Sequence, residues 1–134
     1  KLLRLVVAGE EGTGKFARAM GYLVGGKTGT AEIAGGKSYD RKRMITSFTG
    51  AFPMDNPRYV VVTLFEEAKG TKDTWGYATA GWIAAPVMKE VVEHMAPLVG
   101  VAPVDEKDEK VQNLFAVDYA MSPSTRKRKS IAPQ

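Results

Sequence analysis

Lys27, Thr28 and Thr30 put one ammonium and two hydroxyls side by side in the run Gly26-Lys27-Thr28-Gly29-Thr30-Ala31. This grouping makes an anion site. The lysine supplies charge, the hydroxyls supply short directional hydrogen bonds, and a substrate carboxylate is the matching guest. Gly29 removes a side chain, which lets an extended ligand lie against the strand as an added β-partner. A backbone N–H of the same strand can also donate to the oxyanion of a tetrahedral intermediate, worth roughly 2.7–4 kcal/mol per donor.

Other candidate chemistry is thinner. Gly9-Glu10-Glu11-Gly12-Thr13-Gly14-Lys15 approaches a phosphate-binding loop, but position 16 is Phe where a hydroxyl must ligate magnesium. Two carboxylates would face the phosphates and a helix precedes the loop, so a helix-stop turn is the better reading. His94 is the only histidine and no carboxylate constellation accompanies it, which argues against metal binding and makes it a helix-surface residue. With no cysteine in the chain, thiol nucleophiles, disulfides and Cys-ligated zinc are excluded. No cofactor is expected. The net charge of +4 is carried by Arg126, Lys127, Arg128 and Lys129; without them the two signs balance, and the run reads as a solvated tail. Basic and aromatic residues are not interleaved over a surface as a nucleic-acid binder would require, so no nucleic-acid partner is expected.

Apolar residues at 44% and charged residues at 25% are those of an ordinary globular protein of one unit. No window approaches the ~20 apolar residues of a membrane-spanning helix, so this piece reads as soluble. Its start at Lys1, without Met or signal peptide, reads as that of a fragment or processed product.

The elements that must position the anion site follow from periodicity. Lys1 to Ala8 reads as the end of a helix stopped by Gly9 and Gly12. Tyr22 to Ile33 is rich in small residues and suits a strand that a ligand approaches closely, with Gly35 and Gly36 turning the chain. Ile45 to Phe52 and Tyr59 to Phe65 are strands joined across Pro53-Met54-Asp55-Asn56-Pro57-Arg58. Tyr59 to Phe65 is apolar on both alternating faces and needs two covers. One is the helix predicted between Thr79 and Met95, whose stripe is Ile83, Ala84, Val87, Met88, Val91, Val92 and Met95, with Pro86 kinking it or lying in its first turns. The second cover is short. Trp75, Tyr77 and Trp82 read as packing aromatics before that helix. Residues 98–134 read as an extension or tail, with a helical turn around Val111 to Phe115.

The motifs resemble a known family in order along residues 1–97. Gly12-Thr13-Gly14, Val24-Gly25-Gly26-Lys27-Thr28-Gly29-Thr30-Ala31-Glu32, Thr46-Ser47-Phe48-Thr49-Gly50-Ala51-Phe52-Pro53, Tyr59-Val60-Val61-Val62 and Gly81-Trp82-Ile83-Ala84-Ala85-Pro86-Val87 are similar to the class B penicillin-binding proteins, the division-specific enzymes above all. In active-site serine enzymes of this kind K-T-G lines the cleft. The resemblance implies the following expectations. The fold is α+β, a three-stranded antiparallel sheet with a C-terminal helix on one face, and forms part of the serine transpeptidase and β-lactamase-like fold. Residues 1–97 are the C-terminal part of the transpeptidase domain. The activity of the parent protein is D,D-transpeptidation of peptidoglycan stem peptides in septal wall synthesis, with β-lactam binding. Lys27 and Thr30 are the catalytic residues, and Thr28, Gly29 and Thr30 bind substrate, Thr30 also offering its N–H to the oxyanion. Partners are stem peptides, β-lactams, the missing N-terminal part of the domain or a second copy, and divisome proteins for the parent, at the periplasmic face of the inner membrane.

Two departures are plain. The family's S-x-x-K and S-x-N do not precede Lys27, and Ser124-Thr125-Arg126-Lys127 follows the strand, outside any predicted helix, and is read as chance. The isolated chain should therefore not acylate. The alternatives are a non-catalytic β-lactam sensor or scaffold and a small nucleotide-binding protein built on Gly9 to Lys15.

Overall fold

The computed structural model describes residues 1–35 and 38–117, with side chains from 34 to 42 left aside. Gly36, the Ser124–Lys127 segment and the basic run at 126–129 lie outside the described residues. In chain order the elements are α1 (Leu2–Ala8), a single 3-10 turn (Lys15–Ala17), β1 (Gly25–Gly35), β2 (Ser38–Phe52), β3 (Tyr59–Glu66), α2 (Ala84–Leu98) and α3 (Glu109–Phe115).

The three strands form one antiparallel sheet in the order β1-β2-β3, as the sequence predicts. β2 is longer than the reading Ile45 to Phe52, β1 is displaced toward the C-terminus from the reading Tyr22 to Ile33, and their register shifts between Glu32 and Ile33. Around the motif the pairing is regular: Lys27 opposes Thr49, Thr28 opposes Phe48, Gly29 opposes Ser47 and Thr30 opposes Thr46. Across the sheet, Thr49 opposes Val62 and Phe48 opposes Thr63. Directly opposed residues share a face. One face therefore carries Thr28, Thr30, Thr46, Phe48, Phe52 and Thr63, and the other carries Lys27, Thr49, Val60, Val62 and Leu64.

The helices pack on the first face alone. Val7 of α1, Ala17 of the 3-10 turn, Val24, Phe48, Phe52 and the α2 residues Ala84, Ala85, Met88, Val92 and Ala96 form the buried cluster. α2 begins at Ala84, so Pro86 lies in its first turn, where a missing N–H is tolerated. Its buried stripe is rotated from the predicted one. Small Ala84, Ala85 and Ala96 approach the sheet closely, and Val87 faces outward. Thr63, buried among them, donates its hydroxyl to the Ala84 carbonyl at 3.0 Å. No described helix covers the opposite face, where Val60 is 71%, Val62 59% and Leu64 61% exposed.

Residues 99–117 fold back on the body. They pack at α1 and at the 18–23 loop, leaving the open sheet face uncovered. Val104 N donates to the Gly21 carbonyl at 2.8 Å, and α3 is capped by Asp108, whose side chain accepts from Lys110 N.

Phe48 holds the covered side together. Its ring lies against Gly14, Gly26 and Gly50, where an added Cβ would come within 2.6, 2.5 and 3.1 Å of ring atoms. Phe48→Ala is expected to lower stability by about 3–5 kcal/mol, enough to unfold a domain of ordinary stability, read as a lost or strongly shifted urea transition. Thr46 is the opposite case: its buried hydroxyl has no hydrogen-bond partner among the described residues. Thr46→Val is expected to leave stability unchanged or raise it by about 1 kcal/mol in the same assay, since it removes an unsatisfied buried group.

Candidate functional site

The site is built on β1, an edge strand whose outer side has no strand partner in this sheet. Small residues make the edge approachable. At Gly29 a Cβ would stand 2.7 Å from the Ser47 hydroxyl oxygen, so a side chain there would press into β2.

Alternation sends Lys27 to the open face and Thr28 and Thr30 to the helix face. The lysine is long enough to curl round the edge. Its Nζ donates to the Thr28 carbonyl at 2.7 Å and reaches the Thr28 hydroxyl at 3.3 Å. The ammonium and the first hydroxyl therefore meet although they start on opposite faces. No ion pair to Lys27 is formed among the described residues, which leaves its charge available at the rim.

Thr28 is held from behind. The Thr13 hydroxyl lies 3.2 Å from the Thr28 hydroxyl, so the Gly12-Thr13-Gly14 loop is part of the site. The sequence presents this loop as a helix-stop turn, a near phosphate-binding pattern and part of the family resemblance, and does not join it to Thr28; the glycines on both sides of Thr13 are the signal for a close approach. Gly81 lets the segment before α2 close on it, since a Cβ at Gly81 would come within 2.6 Å of the Thr13 carbonyl oxygen. Thr30 lies farther along the edge and accepts a hydrogen bond from Ala80 N at 3.3 Å. The two hydroxyls are thus fixed by two different loops.

Between these loops and β1 lies a pocket of about 340 Å³, bounded by Thr13, Lys15, Phe16, Thr28, Thr30 and Trp82 among others. Hydroxyls line the strand side and aromatic rings the other. Phe16 and Trp82 meet with ring centroids 4.8 Å apart, and Tyr77 stacks on Trp82 at 5.7 Å. The expected aromatic packing is therefore present for Tyr77 and Trp82, with Phe16 as a third member that the sequence did not single out. Trp75 differs. It is 81% exposed and its backbone φ is +53°, a left-handed conformation that costs a non-glycine residue energy.

The phosphate-loop alternative fails on geometry. The amides of Gly12, Gly14 and Lys15 donate to the carbonyls of Gly9, Val6 and Gly12, so they do not converge on a ligand. The loop leads only into a three-residue 3-10 turn, which offers no helix N-terminus. His94 is an exposed residue of α2, with Nδ1 2.7 Å from the Glu90 carbonyl oxygen.

Comparison with known proteins agrees with this architecture. The family described as penicillin binding protein transpeptidase domain matches residues 1–93. A probable peptidoglycan D,D-transpeptidase FtsI of Caulobacter vibrioides is 43% identical over 108 residues, 75% of this chain and 18% of that protein. Stage V sporulation protein D of Bacillus subtilis is 39% identical over 108 residues, 81% of this chain and 16% of that protein. The chain thus spans less than a fifth of either relative. Among solved structures, the transpeptidase domain of penicillin-binding protein 3 from Burkholderia pseudomallei superposes with a TM-score of 0.62 at 38% identity, over 75% of this chain and 29% of that one. Penicillin-binding protein 3 of the tubercle Mycobacterium, complexed with ampicillin, superposes with a TM-score of 0.63 at 26% identity, over 82% of this chain and 25% of that one. With the family's model matching residues 1–93 and relatives 43% and 39% identical, the chain belongs to the penicillin-binding protein transpeptidase domain family, in its class B branch.

Proposed function

We propose that this chain is the carboxy-terminal part of a serine D,D-transpeptidase that cross-links peptidoglycan stem peptides during septal wall synthesis and binds β-lactams. The observation that carries the reading is the Lys27–Thr28–Thr13 hydrogen-bonded group on the outer edge of β1, beside a pocket that Thr30 also lines. Residues 1–97 are assigned to the transpeptidase domain and 98–134 to an extension. The parent protein works at the periplasmic face of the inner membrane with divisome partners. No helix among the described residues is long and apolar enough to cross a membrane.

In this reading the substrate carboxylate, of a stem peptide or a β-lactam, sits against the Thr28 and Thr30 hydroxyls with the Lys27 ammonium supplying charge. Gly29 lets the acyl segment lie along the strand edge. A serine hydroxyl from the rest of the domain attacks the penultimate D-Ala carbonyl, and the Thr30 N–H donates to the oxyanion that forms. Collapse of the intermediate expels the terminal D-Ala as an amine and leaves an acyl-enzyme, which the amine of a second stem peptide resolves. Lys27 and Thr30 act on the reacting centre, and Thr28, Gly29 and Thr30 hold the substrate. The open face at Val60, Val62 and Leu64 is the seat of the rest of the domain or of a second copy. A non-catalytic β-lactam sensor would keep the same anion site; an S-x-x-K and an S-x-N in the parent sequence separate the enzyme from it.

Two measurements test the reading. The isolated chain is expected to form no covalent adduct with labelled penicillin, because none of its serines has an activating lysine ahead of β1; a stoichiometric adduct located by mass spectrometry would contradict the assignment. In the full-length protein, Lys27→Ala is expected to slow penicillin acylation about 100-fold, the scale of losing one preorganised electrostatic group. Its thermal stability should stay within about 0.5 kcal/mol of wild type, as for an exposed surface substitution. Acylation at the normal rate would remove Lys27 from the mechanism.

A further inference from the structure

Residues 99–117 lie beyond the stretch that matches the family, 1–93, yet one of their side chains reaches the base of the motif strand through a single intermediary. Glu106 Oε2 accepts from Arg4 Nη2 at 2.5 Å and from Arg18 Nη2 at 3.0 Å. The Arg4 and Glu106 side chains are only 5% and 15% exposed, against 54% for Arg18. The other arm of the Arg4 guanidinium donates to the Val24 carbonyl at 2.8 Å. Val24 immediately precedes β1, which begins at Gly25.

Local geometry aims the carboxylate. The Asp105 side chain accepts from Lys107 N at 2.8 Å, closing a tight turn around Glu106. On either side the segment is tied down by Val104 N to the Gly21 carbonyl and by Lys1 Nζ to the Ala116 carbonyl at 3.1 Å. Arg4 pays for its place in lost hydration: desolvation pushes its pKa down, Arg18 pushes the same way and Glu106 opposes. A buried guanidinium deprived of its carboxylate would leave for water. The Val24 carbonyl would then lose its charged donor.

We propose that Arg4 and Glu106 are positioning residues for the Lys27–Thr30 strand, the extension acting as a clasp that fixes where β1 enters the cleft. The proposal rests on the transpeptidase reading for its catalytic consequence. Val24 is three residues before Lys27, roughly 10 Å along an extended strand, and a displacement of about 1 Å at a reacting centre can cost about 100-fold in rate. Because the oxyanion donor acts only in the transition state, the loss falls mainly on the acylation rate constant and less on the non-covalent affinity for the β-lactam.

The decisive variant separates positioning from stability. Arg4→Met combined with Glu106→Leu removes both charges and the Val24 hydrogen bond while keeping the volume filled, a replacement that buried ion pairs commonly tolerate. In the full-length enzyme this double variant is expected to melt near the wild-type temperature and to acylate at least tenfold more slowly. In the 134-residue chain, amide exchange from Gly25 to Lys27 is expected to quicken at least tenfold. A folded double variant with wild-type acylation and wild-type exchange would overturn the proposal. If it does not fold, Arg4→Lys serves instead: one ammonium cannot span both the carboxylate and the carbonyl as the planar fork does, and a folded Lys variant with normal acylation and exchange would equally overturn it. If the wild-type enzyme itself failed to acylate, the transpeptidase reading would fall, while the exchange measurement would still decide the coupling of Glu106 to β1.

Discussion

The Phe48 ring is the contact on which the geometry of the site depends. It stands across the sheet from Thr28 and fills the space over Gly14, Gly26 and Gly50. Those three glycines belong to the 12–14 loop, the motif strand and the central strand. Close packing of one large ring against three bare backbones sets the distance between them within tenths of an ångström. The loop therefore comes near enough for Thr13 to meet Thr28, which a Cβ at either Gly14 or Gly26 would prevent.

The sheet has two faces of different character, and the motif uses both. On the helix face Thr28 and Thr30 are braced by protein, through Thr13 and Ala80 N. On the open face Lys27 starts among Thr49 and Val62 and has to wrap the edge to reach Thr28. An edge strand is the only place where this works, because a neighbouring strand would occupy the space that the lysine crosses.

Charge is handled differently at the two ends of β1. At the motif, Lys27 is exposed and forms no ion pair among the described residues, as its proposed contact with a substrate anion requires. At the entry, Arg4 is buried and fully engaged by Glu106 and the Val24 carbonyl. A buried ion pair contributes little net stability against an apolar replacement, but its directional bonds define a position. The rigid entry and the accessible middle of one strand thus follow from where each cation sits relative to water.

Much of this was legible along the chain. Alternating small and apolar residues, with Pro and Asn between them, determine three consecutive antiparallel strands, and the 79–95 stripe determines a covering helix, because these patterns depend on neighbours a few residues apart. The family follows from residue types in order, and the chemistry proposed for Lys27 to Thr30 starts from the same residues. Tertiary structure alone decided the rest. Thr13 meets Thr28 only after α1, β1 and Phe48 have packed. Glu106 lies within the stretch that reads as an extension or tail, in the charged run Asp105-Glu106-Lys107-Asp108-Glu109-Lys110, and its partner Arg4 lies 102 residues away. Val87 belonged to the predicted stripe yet faces outward, because alanines at 84, 85 and 96 let α2 approach the sheet along another line. Periodicity reports which residues share a face; which contacts that face makes depends on side-chain volume and distant closure, and neither is encoded in local spacing.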